Sequence, residues 1–233
     1  MRKRMLRGSV LGLLAMWCFS TGSAQPKLAV TDQEVNLGTV YNGGIVKAKV
    51  KLQNTGKETL KILGIRTSCG CTTVKHPKSE LAPGESDFVE VEFNSSGFRG
   101  KAVKYIGIET NDPANQYTSI TLSADVKEEL QPVNNYSLIW FGDVPVGQRA
   151  EQMYALRNIT KSRITIRGVT KADPELGIYF DKKIVAPSDS VVLKVSVTPE
   201  KSGYANEVFF VETDSKNQPR VPVRVSFVGV TRK

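Results

Sequence analysis

The stretch Val46-Lys47-Ala48-Lys49-Val50-Lys51-Leu52 decides the fold, because apolar and charged side chains alternate along it. Successive side chains of a β-strand point to opposite faces of the sheet. This period of two therefore predicts a strand with one face on a core and the other in water. The same alternation recurs at Val89–Phe93, Val191–Val197 and Val221–Phe227.

Further apolar runs predict additional short strands, at Leu60–Ile65, Ala102–Ile108, Thr118–Ala124, Ile164–Gly168 and Val208–Val211. Turn-forming residues separate these runs, as in Asn42-Gly43-Gly44, Ala82-Pro83-Gly84 and Asn111-Asp112-Pro113. No segment keeps a helical period for more than one or two turns. About seven short strands per 100 residues predict an all-β fold of immunoglobulin-like β-sandwiches.

The second half of the chain repeats the first at an offset of 104 residues, so that Leu37-Gly38-Thr39-Val40 returns as Phe141-Gly142-Asp143-Val144. After one deletion the match continues at an offset of 103, where Gly100 corresponds to Gly203. A repeat of this length is a duplicated domain and not a solenoid unit. Shared turn glycines of the two halves are expected to have positive φ.

Two tandem domains are therefore predicted, at residues 26–127 and 128–233. Between them, Val126–Tyr136 breaks the alternation and carries Pro132. We interpret this segment as the interdomain linker or as the start of the second domain's first strand. If it is a linker, limited proteolysis should cut there first.

The N-terminus has the pattern of a secretory signal peptide. Four basic residues lie in the first seven positions, and Val10–Ser20 is an apolar run too short to cross a bilayer. Small residues at Gly22-Ser23-Ala24 predict cleavage after Ala24, so residues 1–24 are assigned to the signal peptide. Lipidation at Cys18 is disfavoured because Trp17, not a small residue, precedes it.

Removal of residues 1–24 lowers the formal net charge from +9 to +5. The remaining charges are scattered singly, with neither a Lys/Arg block nor an arginine-rich helix, so no nucleic-acid partner is expected. No other apolar run approaches the length of a membrane helix. The mature chain is therefore expected to have no integral membrane segment.

Five motifs follow one another in the first half: Leu37-Gly38-Thr39-Val40, Leu52-Gln53-Asn54-Thr55-Gly56, Thr67-Ser68-Cys69-Gly70-Cys71-Thr72, Leu81-Ala82-Pro83-Gly84-Glu85 and Thr110-Asn111-Asp112-Pro113. In this order they resemble the bacterial DUF1573 domain, a branch of the Hydin/ASPM/major-sperm-protein-type immunoglobulin-like modules. The resemblance implies an immunoglobulin-like fold and export in a Gram-negative bacterium, and it implies no known activity. The second half resembles the same module more distantly.

Cys69-Gly70-Cys71 is the candidate site, because the second half has Asp173-Pro174-Glu175 instead. Two cysteines separated by one residue can close a small disulfide ring, which an oxidising compartment favours. With His76 five residues later, the two thiolates could instead bind copper(I) or another soft metal, which accepts two or three soft ligands. Both alternatives stay open from the sequence, and no cofactor is assigned.

Few residues are suited to catalysis. His76 is the only histidine, which excludes multi-histidine metal sites and leaves Cys71 with His76 as the one thiol–imidazole pair. In predicted turns an acidic side chain usually caps its own backbone, and four acidic residues lie in such turns: Asp112, Asp173, Glu175 and Asp214. We therefore expect a protein that is not an enzyme.

The sequence thus predicts a secreted, non-catalytic structural or protein-binding module of the bacterial cell envelope, in the periplasm or on the cell exterior. Its expected partner is an unidentified envelope or extracellular protein, bound along an open sheet edge. The alternative is a thiol- or copper-handling protein that uses Cys69 and Cys71.

Overall fold

The computed structural model describes residues 24–75, 77–171 and 176–231. These residues form eighteen β-strands and no helix, and they fold into two immunoglobulin-like β-sandwich domains. The described residues thus contain no long apolar helix of the kind that crosses a bilayer. The predicted fold class is confirmed.

The first domain contains nine strands: β1 (Leu28–Val30), β2 (Glu34–Tyr41), β3 (Ile45–Asn54), β4 (Leu60–Thr67), β5 (Thr72–Lys75), β6 (Glu80–Leu81), β7 (Ser86–Asn94), β8 (Gly100–Thr110) and β9 (Tyr117–Lys127). A four-stranded sheet has the order β1-β3-β7-β5, and a five-stranded sheet has the order β2-β9-β8-β4-β6. All pairs are antiparallel except β2 with β9.

The second domain repeats this arrangement with β10 (Leu130–Pro132), β11 (Leu138–Pro145), β12 (Ala150–Asn158), β13 (Ile164–Lys171), β14 (Gly177–Phe180), β15 (Ile184–Val185), β16 (Ser190–Val197), β17 (Gly203–Thr213) and β18 (Arg220–Val230). Its sheets have the orders β10-β12-β16-β14 and β11-β18-β17-β13-β15. Again one pair is parallel, β11 with β18.

The strands predicted from alternation are all present, and their apolar residues form the interior. In the first domain Leu52, Leu60 and Ile106 are fully buried, and in the second Leu156, Ile166 and Phe209 are. The buried residues of each domain pack only within that domain's clusters. Apolar burial of this kind supplies most of the favourable free energy of folding.

Several strands were not predicted, and most of these are short strands at sheet edges: β1, β5, β6, β10, β14 and β15. Two to four residues are too few to show a period. β12 has nine residues and was also not predicted, because its first four residues are not buried in alternation. β2 and β11 are long too, but each is interrupted by a bulge at a glycine in the left-handed region, Gly38 (φ 70°) and Gly142 (φ 71°). The bulge shifts the alternation by one residue and hides it from the sequence.

The segment Val126–Tyr136 is not a free linker. β9 continues to Lys127 and β10 begins at Leu130, so only Glu128 and Glu129 lie between the two domains' strands. Of the two interpretations, the start of the second domain's first strand matches the structure.

Candidate functional site

Cys69 and Cys71 lie in the loop between β4 and β5, where the chain crosses from the five-stranded to the four-stranded sheet. The two residues are joined by a disulfide bond, with their Cα atoms 5.3 Å apart. Both cysteines are half-buried and Gly70 between them is exposed. Cys71 packs against the apolar cluster that contains Phe93.

The backbone of this loop is held by hydrogen bonds that do not involve sulfur. Ser68 and Tyr105 bond reciprocally, because the Ser68 N–H donates to the Tyr105 carbonyl (2.9 Å) and the Tyr105 N–H donates to Ser68 Oγ (3.0 Å). On the other side, the Asn94 N–H donates to the Cys71 carbonyl at 2.9 Å. The loop is therefore fixed to both sheets.

Thr72 stands beside both sulfur atoms. Its buried hydroxyl oxygen lies 3.7 Å from Cys69 Sγ and 3.8 Å from Cys71 Sγ, within reach of a weak hydrogen bond to either. Threonine carries one O–H donor, and a thiolate is a better acceptor for it than a disulfide sulfur. The second domain offers no cysteine pair for comparison, and residues 172–175 lie outside the described residues.

The metal alternative receives no support from the described part of the chain. No group of three His, Cys, Asp or Glu side chains among those residues is placed to hold a metal ion. His76 lies outside the described residues, so its position relative to Cys69 and Cys71 stays a prediction.

Of the acidic turn residues, Asp112 caps its own turn, as predicted, whereas Asp214 binds the backbone of β13 instead. The buried Asp112 carboxylate accepts hydrogen bonds from the N–H groups of Leu28 and Ala114, both at 2.9 Å. Burial opposes ionisation of Asp112, but these bonds outweigh it and hold the pKa of the carboxyl below its ordinary value. Asp214 accepts from the Thr165 N–H at 2.7 Å. Asp173 and Glu175 lie outside the described residues.

The free edges of the two five-stranded sheets differ. At the edge of β11, Gln152 Nε2 donates to the carbonyl of Trp140 at 2.7 Å and so occupies an edge acceptor. In the first domain the equivalent residues are Ala48 and Asn36. A methyl group cannot donate a hydrogen bond, so Ala48 leaves the corresponding carbonyl of β2 available.

The interdomain junction contains a polar network that the sequence analysis did not identify. The Glu128 side chain is 3% exposed, and its carboxylate accepts from Asn42 Nδ2 and from Arg99 Nε, both at 2.6 Å. Arg99 also reaches Asn135 at 3.3 Å. The only sign of this network in the sequence was the acidic residue Glu128 in the segment Val126–Tyr136, where the alternation of apolar and polar residues stops.

Gln218 joins the network from the second domain. Its Oε1 accepts from the Glu129 N–H at 2.7 Å, and its Nε2 donates to the Asn42 carbonyl at 3.0 Å. Next to Asn42, a Cβ on Gly43 would lie 2.5 Å from the Arg220 carbonyl oxygen, so only glycine fits. A turn of the first domain thus contacts the β17–β18 turn of the second.

Two family models match the chain, one in each half. Residues 28–126 match the protein family of unknown function DUF1573, and residues 134–226 match the HYDIN/CFA65/VesB-like Ig-like domain. The resemblance inferred from the motifs is thereby confirmed. No curated protein matches the chain in sequence.

Solved structures with a similar arrangement are distant. A protein of unknown function from Porphyromonas gingivalis W83 is 14% identical over 86% of this chain and 99% of its own, with a TM-score of 0.37. The VesB protease of Vibrio cholerae is 21% identical over 43% of this chain and 32% of its own, with a TM-score of 0.36. A PapD-like domain of human CEP192 is 12% identical over 54% of this chain and 99% of its own, with a TM-score of 0.39. None of these likenesses bears on function.

Proposed function

We propose that this protein is an exported, non-catalytic binding module of the bacterial cell envelope whose first domain binds an extended segment of a partner protein along the free edge of β2. The observation that supports this proposal is the difference between Ala48 and Gln152. The Trp140 carbonyl of β11 carries a side-chain donor and the equivalent Asn36 carbonyl of β2 does not, although Asn36 Oδ1 accepts from the Gly38 N–H of β2 at 2.8 Å.

The side chains of β2 suit an added strand. Glu34, Asn36 and Thr39 are exposed, whereas Val35 and Leu37 are half-buried beside the core. An extended peptide that pairs with this edge gains main-chain hydrogen bonds, and its alternate side chains face alternate surfaces. The occupant is therefore a segment that alternates apolar and polar residues, with the apolar ones against Val35 and Leu37.

Other edges are less suited to this role. β5 and β14 each have four residues, and β6 and β15 have two, which limits the number of main-chain bonds that they offer. Lysines on β3 and β5 form ion pairs with glutamates of β7 on the outer face, as in Lys49–Glu90 at 2.7 Å. Charged side chains at and near an edge oppose strand addition, and β2 carries only one, Glu34.

The test is to place glutamine, the residue whose side chain occupies the edge acceptor of β11, at the equivalent position 48 beside β2. In Ala48→Gln the new amide should donate to the Asn36 carbonyl and compete with the partner. Ala48→Ser is the matched control, because its hydroxyl is too short to bridge, and Gln152→Ala opens the β11 edge without touching β2. His76→Ala, which the non-catalytic assignment predicts to be harmless, is included.

The mature wild-type chain and the four variants are used to capture partners from envelope extracts, with quantitative mass spectrometry. We expect a partner that is lost with Ala48→Gln and kept with the other variants, and whose binding protects backbone amides of β2 from hydrogen exchange. Equal capture by Ala48→Gln would exclude this edge. If the wild type instead self-associates in sedimentation and Ala48→Gln does not, the occupant is a second copy and the proposed partner is wrong.

A further inference from the structure

The Cys69–Cys71 bond closes a loop of two residue steps and so contributes little to stability through the unfolded chain. The fold does not depend on it either, since the second domain builds the same two sheets with no cysteine. A bond that the scaffold does not need is a candidate for chemistry. In an exported protein that chemistry is thiol–disulfide exchange.

The loop can exchange without unfolding. Its backbone is fixed by the Ser68–Tyr105 and Asn94–Cys71 hydrogen bonds, none of which involves sulfur. After reduction the two thiols would therefore stay side by side, ready to close again. Neither cysteine is fully buried, and exposed Gly70 leaves the approach between them unobstructed by a side chain.

Thr72 supplies a group that assists bond breaking. Exchange releases one sulfur as a thiolate, and its rate rises when that thiolate is stabilised. The Thr72 hydroxyl lies within 3.8 Å of both sulfurs and can donate to whichever one leaves. The site thus has access, a fixed geometry and a donor for the leaving group.

We propose that Cys69–Cys71 is a thiol–disulfide exchange site that oxidises a dithiol of an exported protein. A thiolate of the dithiol attacks one cysteine sulfur, and the Cys69–Cys71 bond breaks as the other cysteine leaves and takes a proton from water. The second thiolate of the dithiol then attacks the mixed disulfide and releases the first cysteine. The dithiol becomes a disulfide, Cys69 and Cys71 become thiols, and two electrons and two protons have moved. This activity goes beyond the proposed binding along β2, and it rests on the export that the proposed function includes.

The experiment uses the mature chain and two probes, a reduced/oxidised glutathione buffer and limiting dithiothreitol. Free thiols are trapped by alkylation and counted by mass spectrometry, while circular dichroism monitors the fold. We expect reversible reduction of the folded protein within minutes and oxidation of one dithiothreitol per chain. A bond that resists excess glutathione until the protein unfolds would show that the site does not exchange.

Two variants sharpen the test. Thr72→Val keeps the buried volume but removes the hydroxyl, so exchange should slow about two- to threefold with stability little changed, as expected for one weak hydrogen bond. Unchanged exchange in Thr72→Val would remove the assigned role of Thr72. Cys69→Ser/Cys71→Ser should abolish exchange with at most a small shift in thermal stability, whereas unfolding of the first domain would identify the pair as a structural bond and overturn the proposal. If the reduced wild type binds copper(I) stoichiometrically and then no longer reoxidises, the site handles metal and the exchange proposal is wrong.

Discussion

The two domains have the same strand order but cover the outer faces of their larger sheets differently. In the second domain the Arg220 guanidinium lies over the Phe210 ring, 4.0 Å from its centroid. Tyr117 and Gly107 stand at these positions in the first domain, where a shallow groove of about 210 Å³ lies between Tyr117 and Arg66. The groove exists because Gly107 has no side chain to fill it.

The outer faces of the two four-stranded sheets also carry different side chains. On the outer face of the first domain, Lys47–Glu92 and Lys49–Glu90 form ion pairs at 3.0 and 2.7 Å. On the second, Lys194 also forms an ion pair, with Glu151 at 2.7 Å, but the large exposed side chains of Met153 and Tyr179 flank it across the strands. The duplicated halves thus share the residues that form the turns and the core, and they differ in the side chains on their outer faces.

The largest effect should follow from a residue that both domains share. Asn54 and Asn158 are fully buried, and each donates from Nδ2 to two backbone carbonyls, those of Glu58 and Leu81 or those of Ser162 and Val185. Replacement by alanine leaves buried carbonyls without donors, so Asn54→Ala and Asn158→Ala should each lower the free energy of unfolding by about 3 kcal/mol.

Urea denaturation measures this prediction. Fluorescence follows the second domain, because Trp140 is the only tryptophan after residue 24, and far-ultraviolet circular dichroism follows both. Gln53→Ala is the control, since Gln53 makes only an exposed 3.4 Å bond to the Gly84 carbonyl. If only one of the two asparagine variants is destabilised, the domains do not share this support.

The next effect concerns the junction, which joins the two halves. Arg99→Met leaves the buried Glu128 carboxylate without its cationic partner, and removing one member of a buried pair is strongly destabilising. Because Arg99 is partly exposed, we expect the free energy of unfolding to fall by about 2 kcal/mol. The unfolding curves followed by Trp140 fluorescence and by circular dichroism should then no longer coincide, because the two domains unfold separately. Arg99→Met/Glu128→Gln should recover part of the loss, and failure to do so would exclude the charge as its cause.

Because of the interdomain junction, proteases are expected to cut only part of the segment Val126–Tyr136 and not all of it, as they would in a free linker. Val126, Glu128 and Leu130 are buried, whereas residues 133–136 form an exposed turn. Limited proteolysis of the wild type should therefore cut within 133–136 and spare the part before Pro132. In Arg99→Met the cleavage should spread towards Glu128.

A pH effect should distinguish the domains, because Asp112 in the first corresponds to Ser215 in the second. The folded state lowers the pKa of Asp112, so the stabilisation is present above the unfolded pKa of about 4 and is lost as pH falls through the folded value. Wild type should lose more of its free energy of unfolding than Asp112→Ser as the pH falls from 6 to about 2. Denaturation at several pH values measures this difference, and parallel pH profiles would contradict it.

The smallest effect should come from filling the groove. No atom lies within 4 Å of a Cβ at Gly107, and its φ is not in the left-handed region, so Gly107→Phe can adopt the place that Phe210 has in the second domain. Replacing a strand glycine by an aromatic residue should raise the free energy of unfolding by up to about 1 kcal/mol. Gly70→Phe, in the exposed loop, is the control. A loss of stability in Gly107→Phe would show that the two faces are not equivalent.

The sequence was sufficient for the features that depend on near neighbours along the chain. Alternation in Val46–Leu52 predicted β3, because burial of one sheet face needs a side chain at every second position. The repeat predicted paired turns, and the positive φ expected at Gly43 and Gly147 is observed (94° and 77°). Cys69 and Cys71 are neighbours in sequence, and so their juxtaposition required no tertiary information.

Only the tertiary structure decided the features that depend on residues far apart in the chain. Gln152 reaches Trp140 across the two sheets, and Gln218 reaches Asn42 over 176 positions, and neither distance follows from spacing or composition. Edge strands such as β5 are defined by the partner strand that they pair with and not by their own four residues. The physical reason is that a single sequence determines local propensity and the burial pattern, whereas hydrogen-bond partners and free edges are set by how whole sheets pack against each other.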